Sequence, residues 1–453
     1  MIKQLFLMKT GFFKQVFIRE FFMFSYLSIT SFIAWNYYGI LFFVFGYELF
    51  KHLKNSISLR FEIYLLKTFI LLASWELGAL FWLLEVDKGF FVIVSHLIFT
   101  LFFFLFFFLI LKKAKSKGLI IFIPLWLLFE YFQNTVNISF PWLTIGNVFS
   151  SQVYIIQWYE YTGVLGGSLW FLVTSYYLFK AINYKNAKYY YMLFVWFLIP
   201  VLASILMLKN EKIEETSTEK VLVFNNEFLK KKNNLDISYY LYDTIKSIKG
   251  VRTLITPEYS FRNLNIDKFE KSFVFKYFRK IIAETNIEKI YFGTLLYKKN
   301  DGIANGSVFM TEKKTFFKVK KKLVPYTESM PKIFYIFFNK MFFNDKMIDS
   351  EAGLISEERI LPLICYEVFF SLYVSKKVSD CKIIYLISSE KFLNNSFYGQ
   401  KQYNNIIKLR CIENRLPMLK ISGYGTSSYI DSYGFVKKES RKEFDVFDVS
   451  LNK

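Results

Sequence analysis

The first 208 residues are dominated by long apolar runs that only short polar stretches interrupt. A membrane-spanning helix needs about 20 mostly apolar residues, and most of these runs reach or approach that length. The first run carries Arg19 and Glu20 at its start and has no small-residue cleavage site, so we do not expect a signal peptide. The pattern predicts about seven spans, at residues 18–34, 35–50, 64–84, 89–111, 118–133, 158–180 and 189–208. The stretch WNYYG joins the first two spans, which form either a hairpin or one interrupted span.

Positive charge alternates between the loops that connect these runs. The basic segments are 1–17, 51–60, 112–117 and 180–188, and the segments with at most one lysine or arginine are 35–39, 85–89 and 133–158. Lysine and arginine are enriched on the cytoplasmic side of membrane proteins. We therefore predict a cytoplasmic N-terminus, and an odd number of spans then places the chain from residue 209 onward outside the cytoplasm.

Composition and charge fit a membrane protein with a soluble domain. Of the 453 residues, 54% are hydrophobic, and the formal net charge is +21. Much of the basic excess flanks the apolar runs, which indicates membrane topology and lipid surfaces rather than nucleic acid. Carboxylates are costly inside a membrane and are candidates for function there, although a packing hydrogen bond is an equal alternative. Those in or beside the predicted spans are Glu76, Glu130 and Glu160.

After a charged linker at 209–220, the pattern changes to short apolar strands that alternate with amphipathic helices. The stretches KVLVF, TLIT, KIYFGTLLY, RILPLICYEV and CKIIYLISS are typical of strands, and GSVFMTEKKTFFKVKKKLV predicts a hairpin. Amphipathic patterns in 234–250, 269–286 and 400–416 predict helices between them. Residues 221–453 are therefore expected to form an α/β layered domain.

Three reactive side chains fall at or near predicted strand ends in this domain: Glu258 after TLIT, Lys320 in KVKKKLVPYTE and Cys365 after LPLI. Taken singly, each has an ordinary explanation, since a lone cysteine is usually core and a lysine run is usually a solvated edge. Together they form a chemical set, in which a thiol attacks an acyl carbon, a carboxylate moves the proton and an ammonium stabilises the oxyanion. Both histidines, His52 and His96, lie in the first half, so a glutamate is the natural base.

Motifs spread over most of the chain resemble the carbon–nitrogen hydrolase (nitrilase) superfamily and, more narrowly, the apolipoprotein N-acyltransferase family. The matching stretches are WLLFE, FPWLTIGNVFSSQ, IQWYEYTGVLGGS, TPEYS, ANGSVF, KVKKKLVPYTESMP, ICYEVFF and KLRCIENRLP. The resemblance implies a helical membrane bundle followed by an extracytoplasmic nitrilase-like domain with an αββα sandwich. It also implies a multi-pass protein of the bacterial cytoplasmic (inner) membrane.

The resemblance assigns roles to individual residues. It implies that Glu258 is the general base, Lys320 the oxyanion lysine and Cys365 the nucleophile, with Glu328, Tyr366 and Glu367 in support. Counting back three residues from Leu323 selects Lys320, but strand alternation places two neighbouring lysines on the same face, so the choice stays open. Those alternative lysines are Lys318 and Lys322.

The implied reaction is a pair of acyl transfers. The Cys365 thiolate takes an acyl chain from a membrane phospholipid as a thioester, and the α-amine of a diacylglyceryl lipoprotein then accepts the chain. The expected partners are this phospholipid, as the acyl donor, and this lipoprotein, as the acceptor. No nucleic-acid partner is expected. The sequence has no nucleotide-binding loop and no metal-ligand spacing, so we predict no cofactor and no metal, and we expect a monomer.

Several segments depart from the family pattern, and they leave the acceptor open. The altered segments are Ser389–Phe392, Gln402–Tyr403 and Ser422–Gly425, Gln133 replaces an arginine, and the family's last membrane helix has no counterpart after DVFDVSLNK. The first hypothesis is therefore a lipoprotein N-acyltransferase. The alternatives are a divergent paralogue that transfers the acyl chain to another amine or to water, and a non-catalytic protein that binds a lipid or a partner.

Overall fold

The structure is a computed structural model, and it contains two compact units. It describes residues 2–136, 139–209, 217–225, 233–329, 343–347, 349–394 and 396–451, with backbone alone for 2–17. The helical unit comprises Met1–Phe132, Leu143–Trp158 and Val164–Leu206. The α/β unit comprises Gln133–Trp142, Tyr159–Gly163 and Met207–Lys453. Two short segments from the first half of the chain thus belong to the α/β unit.

Helices α1 to α7 build the helical unit, and most of the predicted spans correspond to one of them. Their bounds are α1 Ile2–Asn36, α2 Phe43–Ser56, α3 Phe61–Leu80, α4 Gly89–Ala114, α5 Gly118–Thr135, α6 Tyr159–Tyr184 and α7 Ala187–Lys209. The interior is rich in aromatic contacts, such as the stacked rings of Phe42 and Phe171, whose centroids are 5.0 Å apart. Aromatic side chains bury large apolar areas, which accounts for their use in this core.

Three helical stretches in the described residues are long and apolar enough to cross a membrane. They are Phe61–Glu85, Gly89–Thr135 and Ala187–Lys209. These stretches contain four of the predicted spans, because Gly89–Thr135 includes both 89–111 and 118–133. The helices that correspond to spans 18–34 and 158–180 do not meet the same criterion.

The predicted span 35–50 is not a continuous helix. Helix α1 ends at Asn36, a 3-10 turn covers Gly39–Phe42, and α2 begins only at Phe43. With 14 residues, α2 is about 21 Å long at 1.5 Å per residue, shorter than the roughly 30 Å hydrocarbon core. This part of the chain is therefore a turn followed by a short helix, because the apolar run includes the turn residues Tyr37–Gly39.

A first sheet of seven strands forms one layer of the α/β unit. Its order is β12-β1-β2-β4-β5-β6, with β3 paired to β4. Strands β1, β2 and β4 are parallel, and β5 and β6 continue from β4 as antiparallel hairpins. The bounds are β1 Ser217–Phe224, β2 Thr253–Ile255, β3 Phe261–Asn265, β4 Lys289–Lys298, β5 Gly302–Thr311, β6 Thr315–Val319 and β12 Phe444–Leu451.

A second sheet of five strands has the order β11-β10-β9-β8-β7. Strands β7, β8 and β9 are parallel, and β10 and β11 are antiparallel additions at one edge. The bounds are β7 Ile360–Ile364, β8 Ile383–Ser388, β9 Met418–Ser422, β10 Ser427–Ile430 and β11 Val436–Ser440. The helices of the unit are α8 Asn234–Ile245, α9 Phe273–Glu284, α10 Glu351–Glu358, α11 Ser371–Ser375 and α12 Phe397–Asn414.

The two sheets pack face to face, with helices on the outside. One apolar cluster joins alternate residues of both sheets, including Val223 and Ile255 from the first and Ile364 and Ile421 from the second. A second cluster packs α8 and α9 against the other face of the first sheet. Strand β9 faces α12 through Lys420, whose ammonium contacts the Asn404 side chain. The predicted αββα sandwich is confirmed.

One predicted strand is too long. The stretch RILPLICYEV was assigned to a strand with Cys365 at the end of LPLI; β7 does end at Ile364, and the rest of the stretch belongs to a 3-10 turn that covers Cys365–Phe369. The change occurs at Cys365, whose φ of +48° lies in the left-handed region. Left-handed backbone cannot continue a strand, so the chain turns at the cysteine. The apolar composition of this stretch gives no sign of that turn.

Candidate active site

The structure places the carboxylate, the ammonium and the thiol that were singled out in the sequence at one end of the two sheets. Glu258 follows β2 by three residues, Lys320 directly follows β6, and Cys365 directly follows β7. All three side chains are almost fully buried. Strand ends are where α/β folds collect reactive groups, because the loops there are held by a rigid sheet.

Two local backbone features set these positions. A side chain at Gly293 on β4 would place its Cβ 2.4 Å from the Pro257 carbonyl oxygen and 2.6 Å from the Glu258 Cα. Only glycine lets the backbone of Glu258 lie this close to β4. The left-handed conformation of Cys365 breaks the strand at the residue that carries the thiol. Such strain at a reactive side chain is a feature of functional sites.

A buried ammonium bridges two buried carboxylates at the centre of the site. Lys320 Nζ lies 3.0 Å from Glu258 Oε1 and 2.9 Å from Glu328 Oε1. Buried charges persist only when they are paired and hydrogen-bonded. The pairing therefore fixes the Lys320 and Glu258 side chains relative to each other. It also includes Glu328, to which the motif resemblance gave a supporting role.

The sequence reasoning missed Asn305 and Tyr259. Asn305 Nδ2 lies 2.6 Å from Glu258 Oε1 and 2.9 Å from Glu328 Oε1, and the Tyr259 hydroxyl donates to Glu328 Oε1 at 2.7 Å. The backbone N–H of Lys320 also donates to the Asn305 carbonyl at 2.9 Å, so β5 aligns the lysine. A polar asparagine within the apolar strand ANGSVF was the available signal.

Burial raises the pKa of the Cys365 thiol well above its ordinary value, and the negative charges of Glu258 and Glu328 raise it further. The Lys320 ammonium and a hydrogen bond from the Ser389 backbone act in the opposite direction. The same Ser389 N–H donates to Glu258 Oε2 at 2.8 Å. Because the neutral thiol is the favoured form, Cys365 needs a base to become nucleophilic.

The two carboxylates that share Lys320 differ in their proton affinity. Burial raises the pKa of Glu258, and the neighbouring Glu328 carboxylate adds to this increase against the effect of Lys320. For Glu328, burial is outweighed by the Lys320 ammonium and by hydrogen bonds from Val324 and Tyr259, which together lower its pKa. Glu258 is thus the carboxylate that takes up a proton more readily, as a general base must.

The neighbouring lysines have other partners. Lys318 Nζ lies 3.0 Å from Glu367 Oε1 and 3.1 Å from Glu351 Oε1, and the buried Lys322 donates to the Thr135 carbonyl at 3.1 Å. Lys320 is therefore the lysine of this segment that contacts Glu258. Alternation along the strand does place Lys318 and Lys320 on one face, but each is held by a different pair of carboxylates.

Glu367 connects the turn after Cys365 to the lysine segment. Its Oε2 accepts from the Ile364 N–H at 2.9 Å, and its Oε1 accepts from the Lys321 N–H at 2.7 Å. The charge of Lys318, together with these hydrogen bonds, lowers the pKa of Glu367 despite its burial, so it stays ionised. Glu367 thus holds the ends of β7 and β6 together.

Tyr366 is the remaining predicted site residue, and it makes packing contacts. The other two cysteines are buried. The Tyr366 hydroxyl donates to the Ser139 carbonyl at 3.0 Å, and its ring packs edge-on against Phe370. Cys381 and Cys411 are buried and free, like Cys365. Within the described ranges, no group of His, Cys, Asp and Glu side chains has the arrangement of a metal site.

The segments that depart from the family pattern meet beside the site. Glu390 forms a buried ion pair with Lys420, and Lys420 Nζ lies 5.0 Å from the centre of the Tyr403 ring. A side chain at Gly425 would place its Cβ 2.3 Å from a Glu390 carboxylate oxygen. The charges of Cys365 and Glu390 both act on the Tyr403 hydroxyl, whose pKa burial raises well above its ordinary value. These departures therefore form one polar cluster near the thiol.

The three carboxylates in or beside the predicted spans have hydrogen-bond partners. Glu76 Oε1 contacts His96 Nδ1 at 2.9 Å, and Glu130 Oε1 accepts from the Trp126 indole and from the Ile145 N–H. Glu160 belongs to the α/β unit, where it pairs with Arg415. Each carboxylate thus has a hydrogen-bond or ion-pair partner, which agrees with a role in packing, the alternative to a role in function.

A substitution of Glu328 tests the electrostatics of this cluster. A reaction that needs ionised Glu258 becomes faster as pH rises through the Glu258 pKa, which lies above the ordinary carboxyl value. In Glu328→Gln, we expect this rise to move to lower pH, because the negative charge that raises the Glu258 pKa is gone. The measurement is the pH dependence of Cys365 alkylation by iodoacetamide, located by peptide mass spectrometry.

The matched control is Glu357→Gln, which removes an exposed carboxylate paired with Lys314 on the surface. It is expected to leave the pH profile unchanged. A Glu328→Gln profile that coincides with the wild type, or moves to higher pH, contradicts the assignment of the raised pKa to Glu258.

Comparisons with known proteins agree with the motifs. Residues 26–177 match the family model described as the apolipoprotein N-acyltransferase N-terminal domain. An apolipoprotein N-acyltransferase from Wigglesworthia glossinidia brevipalpis is 25% identical over 340 residues, which cover 69% of this chain and 65% of the relative. One from Rickettsia typhi is 25% identical over 350 residues, covering 71% and 67%. The chain thus spans about two thirds of the length of these relatives.

Solved structures similar to the α/β unit include two carbon–nitrogen hydrolases. One, a superfamily member from Xanthomonas campestris, is 13% identical with a TM-score of 0.37, covering 52% of this chain and 91% of its own. The other, from Helicobacter pylori, is 10% identical with a TM-score of 0.35, covering 52% and 89%. The family match and the curated relatives confirm the resemblance predicted from the motifs: over most of its length, this chain is similar to the apolipoprotein N-acyltransferases.

Proposed function

We propose that the protein is a membrane N-acyltransferase that moves an acyl chain from a phospholipid, through a thioester on Cys365, to the α-amine of a lipidated N-terminal cysteine. The observation that supports this proposal is the buried Glu258–Lys320–Glu328 cluster, whose charges act on the Cys365 thiol at the end of β7. The named relatives are N-acyltransferases. Apolar helices long enough to cross a membrane suit lipid substrates.

The first half of the proposed reaction forms the thioester. Glu258 takes the proton from Cys365, and the thiolate sulfur attacks the ester carbonyl carbon of the phospholipid. The carbonyl electrons move to oxygen, where the Lys320 ammonium stabilises the developing negative charge. The bond to the glycerol oxygen then breaks, and Glu258 returns its proton to that oxygen. The products are an acyl-Cys365 thioester and a lysophospholipid.

The second half transfers the acyl chain to nitrogen. The α-amine of the acceptor attacks the thioester carbonyl carbon while Glu258 accepts one proton from the nitrogen. Collapse of the tetrahedral intermediate breaks the C–S bond, and the sulfur leaves as a thiolate that recovers the proton from Glu258. An amide and the free thiol result, so the enzyme returns to its starting state with no net change in protons.

The proposed setting is the bacterial cytoplasmic membrane, with the N-terminus in the cytoplasm and the α/β unit outside it. The support is the alternation, along residues 1–208, of loops rich in lysine and arginine with loops that have at most one. Both proposed substrates, the phospholipid and the diacylglyceryl lipoprotein, carry acyl chains that anchor them in a membrane. We propose that the protein acts as a monomer and without nucleic acid.

A product assay tests this function. The full chain is reconstituted in phosphatidylethanolamine vesicles with a labelled acyl chain, and a peptide with an N-terminal S-diacylglyceryl cysteine is added. We expect one N-acylated peptide for each lysophospholipid formed. The matched control peptide is acetylated at its N-terminus, and it is expected to remain unmodified because it has no free amine.

The cluster of Glu390, Lys420 and Tyr403 supports a second candidate, a paralogue with another acceptor. Glu390 and Tyr403 lie in segments that depart from the family pattern, Lys420 pairs with Glu390, and Tyr403 interacts electrostatically with Cys365. Transfer to small amines but not to the lipidated peptide would support this candidate. Release of free fatty acid at equal rates with both peptides would identify water as the acceptor and contradict the N-acyltransferase proposal.

A further inference from the structure

A cavity of about 490 Å³ lies between α1, α2 and α3 of the helical unit. This volume is within the range of about 300–1,000 Å³ that is usual for small-molecule sites. Its wall combines charged side chains with the apolar side chains of Phe22, Met23 and Leu71. The cavity belongs to the helical unit, whereas Cys365 belongs to the α/β unit.

The charges on the wall have both signs. The cations form short pairs with carboxylates: Lys51 with Glu48 at 3.0 Å, and both Arg19 at 2.9 Å and Lys67 at 3.3 Å with Glu20. The side chains of Arg19 and Lys51 are 69% and 45% exposed, so both have donors left for a ligand. The second oxygen of Glu20 has no hydrogen-bond donor among the described residues.

The cavity lies at the level where the three helices change from charged to apolar. After Glu20, the chain has no charged residue until Glu48, and α3 has none between Lys67 and Glu76. A change of this kind marks the boundary between the hydrocarbon core and the lipid headgroups. The exposed aromatic rings of Phe22 and Tyr26 on the same wall are also typical of this boundary.

We propose that this cavity is a binding site for the headgroup of a zwitterionic aminophospholipid. The lipid phosphate binds Arg19 and Lys51, and the ammonium binds the carboxylates of Glu20 and Glu48. The acyl chains lie along the apolar wall of Phe22, Met23 and Leu71. A purely anionic headgroup fits less well, because it has no cation to bind Glu20 and Glu48, and its phosphate competes with these carboxylates for the cations of the wall.

Lipid cross-linking to the full chain tests this proposal. The protein is purified in detergent and incubated with phosphatidylethanolamine or phosphatidylglycerol that carries a photoreactive group near the headgroup. Peptide mass spectrometry then locates the labelled residues. We expect phosphatidylethanolamine to label α1, α2 and α3 around the cavity, and phosphatidylglycerol to label them roughly five- to tenfold less at equal concentration.

Three substitutions test which side chains of the cavity wall bind the phosphate and which bind the ammonium. In Glu48→Gln, labelling by phosphatidylethanolamine should fall roughly fivefold, while labelling by phosphatidylglycerol should rise, because an anion meets one carboxylate fewer. In Arg19→Gln, labelling by both lipids should fall, since both carry the phosphate. The matched control is Lys54→Gln, which changes a lysine of α2 outside the cavity wall and should change neither.

Several outcomes overturn the proposal. One is stronger labelling of the cavity by phosphatidylglycerol than by phosphatidylethanolamine in the wild type. Another is a Glu48→Gln variant that behaves like Lys54→Gln. A third is competition by soluble phosphoethanolamine at the concentration at which the lipid itself competes, which would identify a free small molecule as the ligand. Acyl transfer is not measured, so these outcomes are independent of the proposed enzyme activity.

Discussion

Replacing Cys365 with alanine is expected to abolish acyl transfer, with a loss of about 10⁴-fold or more, as when a nucleophile is removed from other enzymes with covalent intermediates. The sulfur is the atom that would hold the acyl chain, and the cluster of Glu258, Lys320 and Glu328 acts on it electrostatically. In the wild type, incubation with phospholipid should add the mass of one acyl chain to the peptide that contains Cys365. Hydroxylamine should remove this mass, because it cleaves thioesters.

The other two cysteines supply matched controls. Cys381→Ala and Cys411→Ala remove buried thiols that lie outside the Lys320 cluster, and each should keep the acyl adduct on Cys365. Because Cys365 has a φ of +48°, a Cys365→Gly variant is also made, since glycine adopts this conformation without strain. If alanine and glycine variants both retain transfer, or if the adduct forms on another residue, Cys365 is not the nucleophile.

Replacing Lys320 with methionine is expected to have the largest effect on stability. The substitution leaves Glu258 and Glu328 buried near each other with no cation between them. Removing one partner of a buried ion pair typically costs about 3–5 kcal/mol, which corresponds to a decrease in Tm on the order of 10 °C for a unit of this size. Acyl transfer should be lost as well, because the proposed oxyanion stabilisation disappears. Thermal unfolding of the full chain in detergent measures the first effect.

A second substitution separates electrostatic from packing effects. In the double variant Lys320→Met and Glu328→Gln, one of the two facing charges is gone, so part of the lost Tm should return. The surface control is Lys314→Met, whose exposed pair with Glu357 should contribute at most about 1 kcal/mol. A Lys320→Met protein as stable as Lys314→Met would show that the buried cluster is not held by charge.

The sequence predicted the strand ends better than the contacts made there. The apolar runs before Glu258 and Cys365 end where the parallel strands end, because a buried strand needs a continuous apolar run. The choice among Lys318, Lys320 and Lys322 was not predictable from alternation. It depends on carboxylates distant in the chain, since Lys318 contacts a glutamate 49 residues away and Lys320 one 62 residues away.

The turn at Cys365 and the role of Asn305 show two further limits of the pattern. A left-handed residue other than glycine has no signature in hydrophobicity, so the pattern does not show that the residues after Cys365 form a turn. Asn305 was visible as a polar residue in an apolar strand, but its contacts with Glu258 and Glu328 depend on the pairing of β4 with β5. The short α2 illustrates the opposite error, in which an apolar turn was counted as part of a span.

The position of Glu367 links the thiol to the cooperative unfolding of the whole α/β unit. This one carboxylate accepts hydrogen bonds from the end of β7 in one sheet and from the segment after β6 in the other. Local opening around Cys365 must therefore break contacts between the two sheets. Amide hydrogens near the cysteine should then exchange with solvent only in global unfolding events, at rates like those of the central strands. The backbone that carries the thiol thus keeps its position for as long as the domain remains folded.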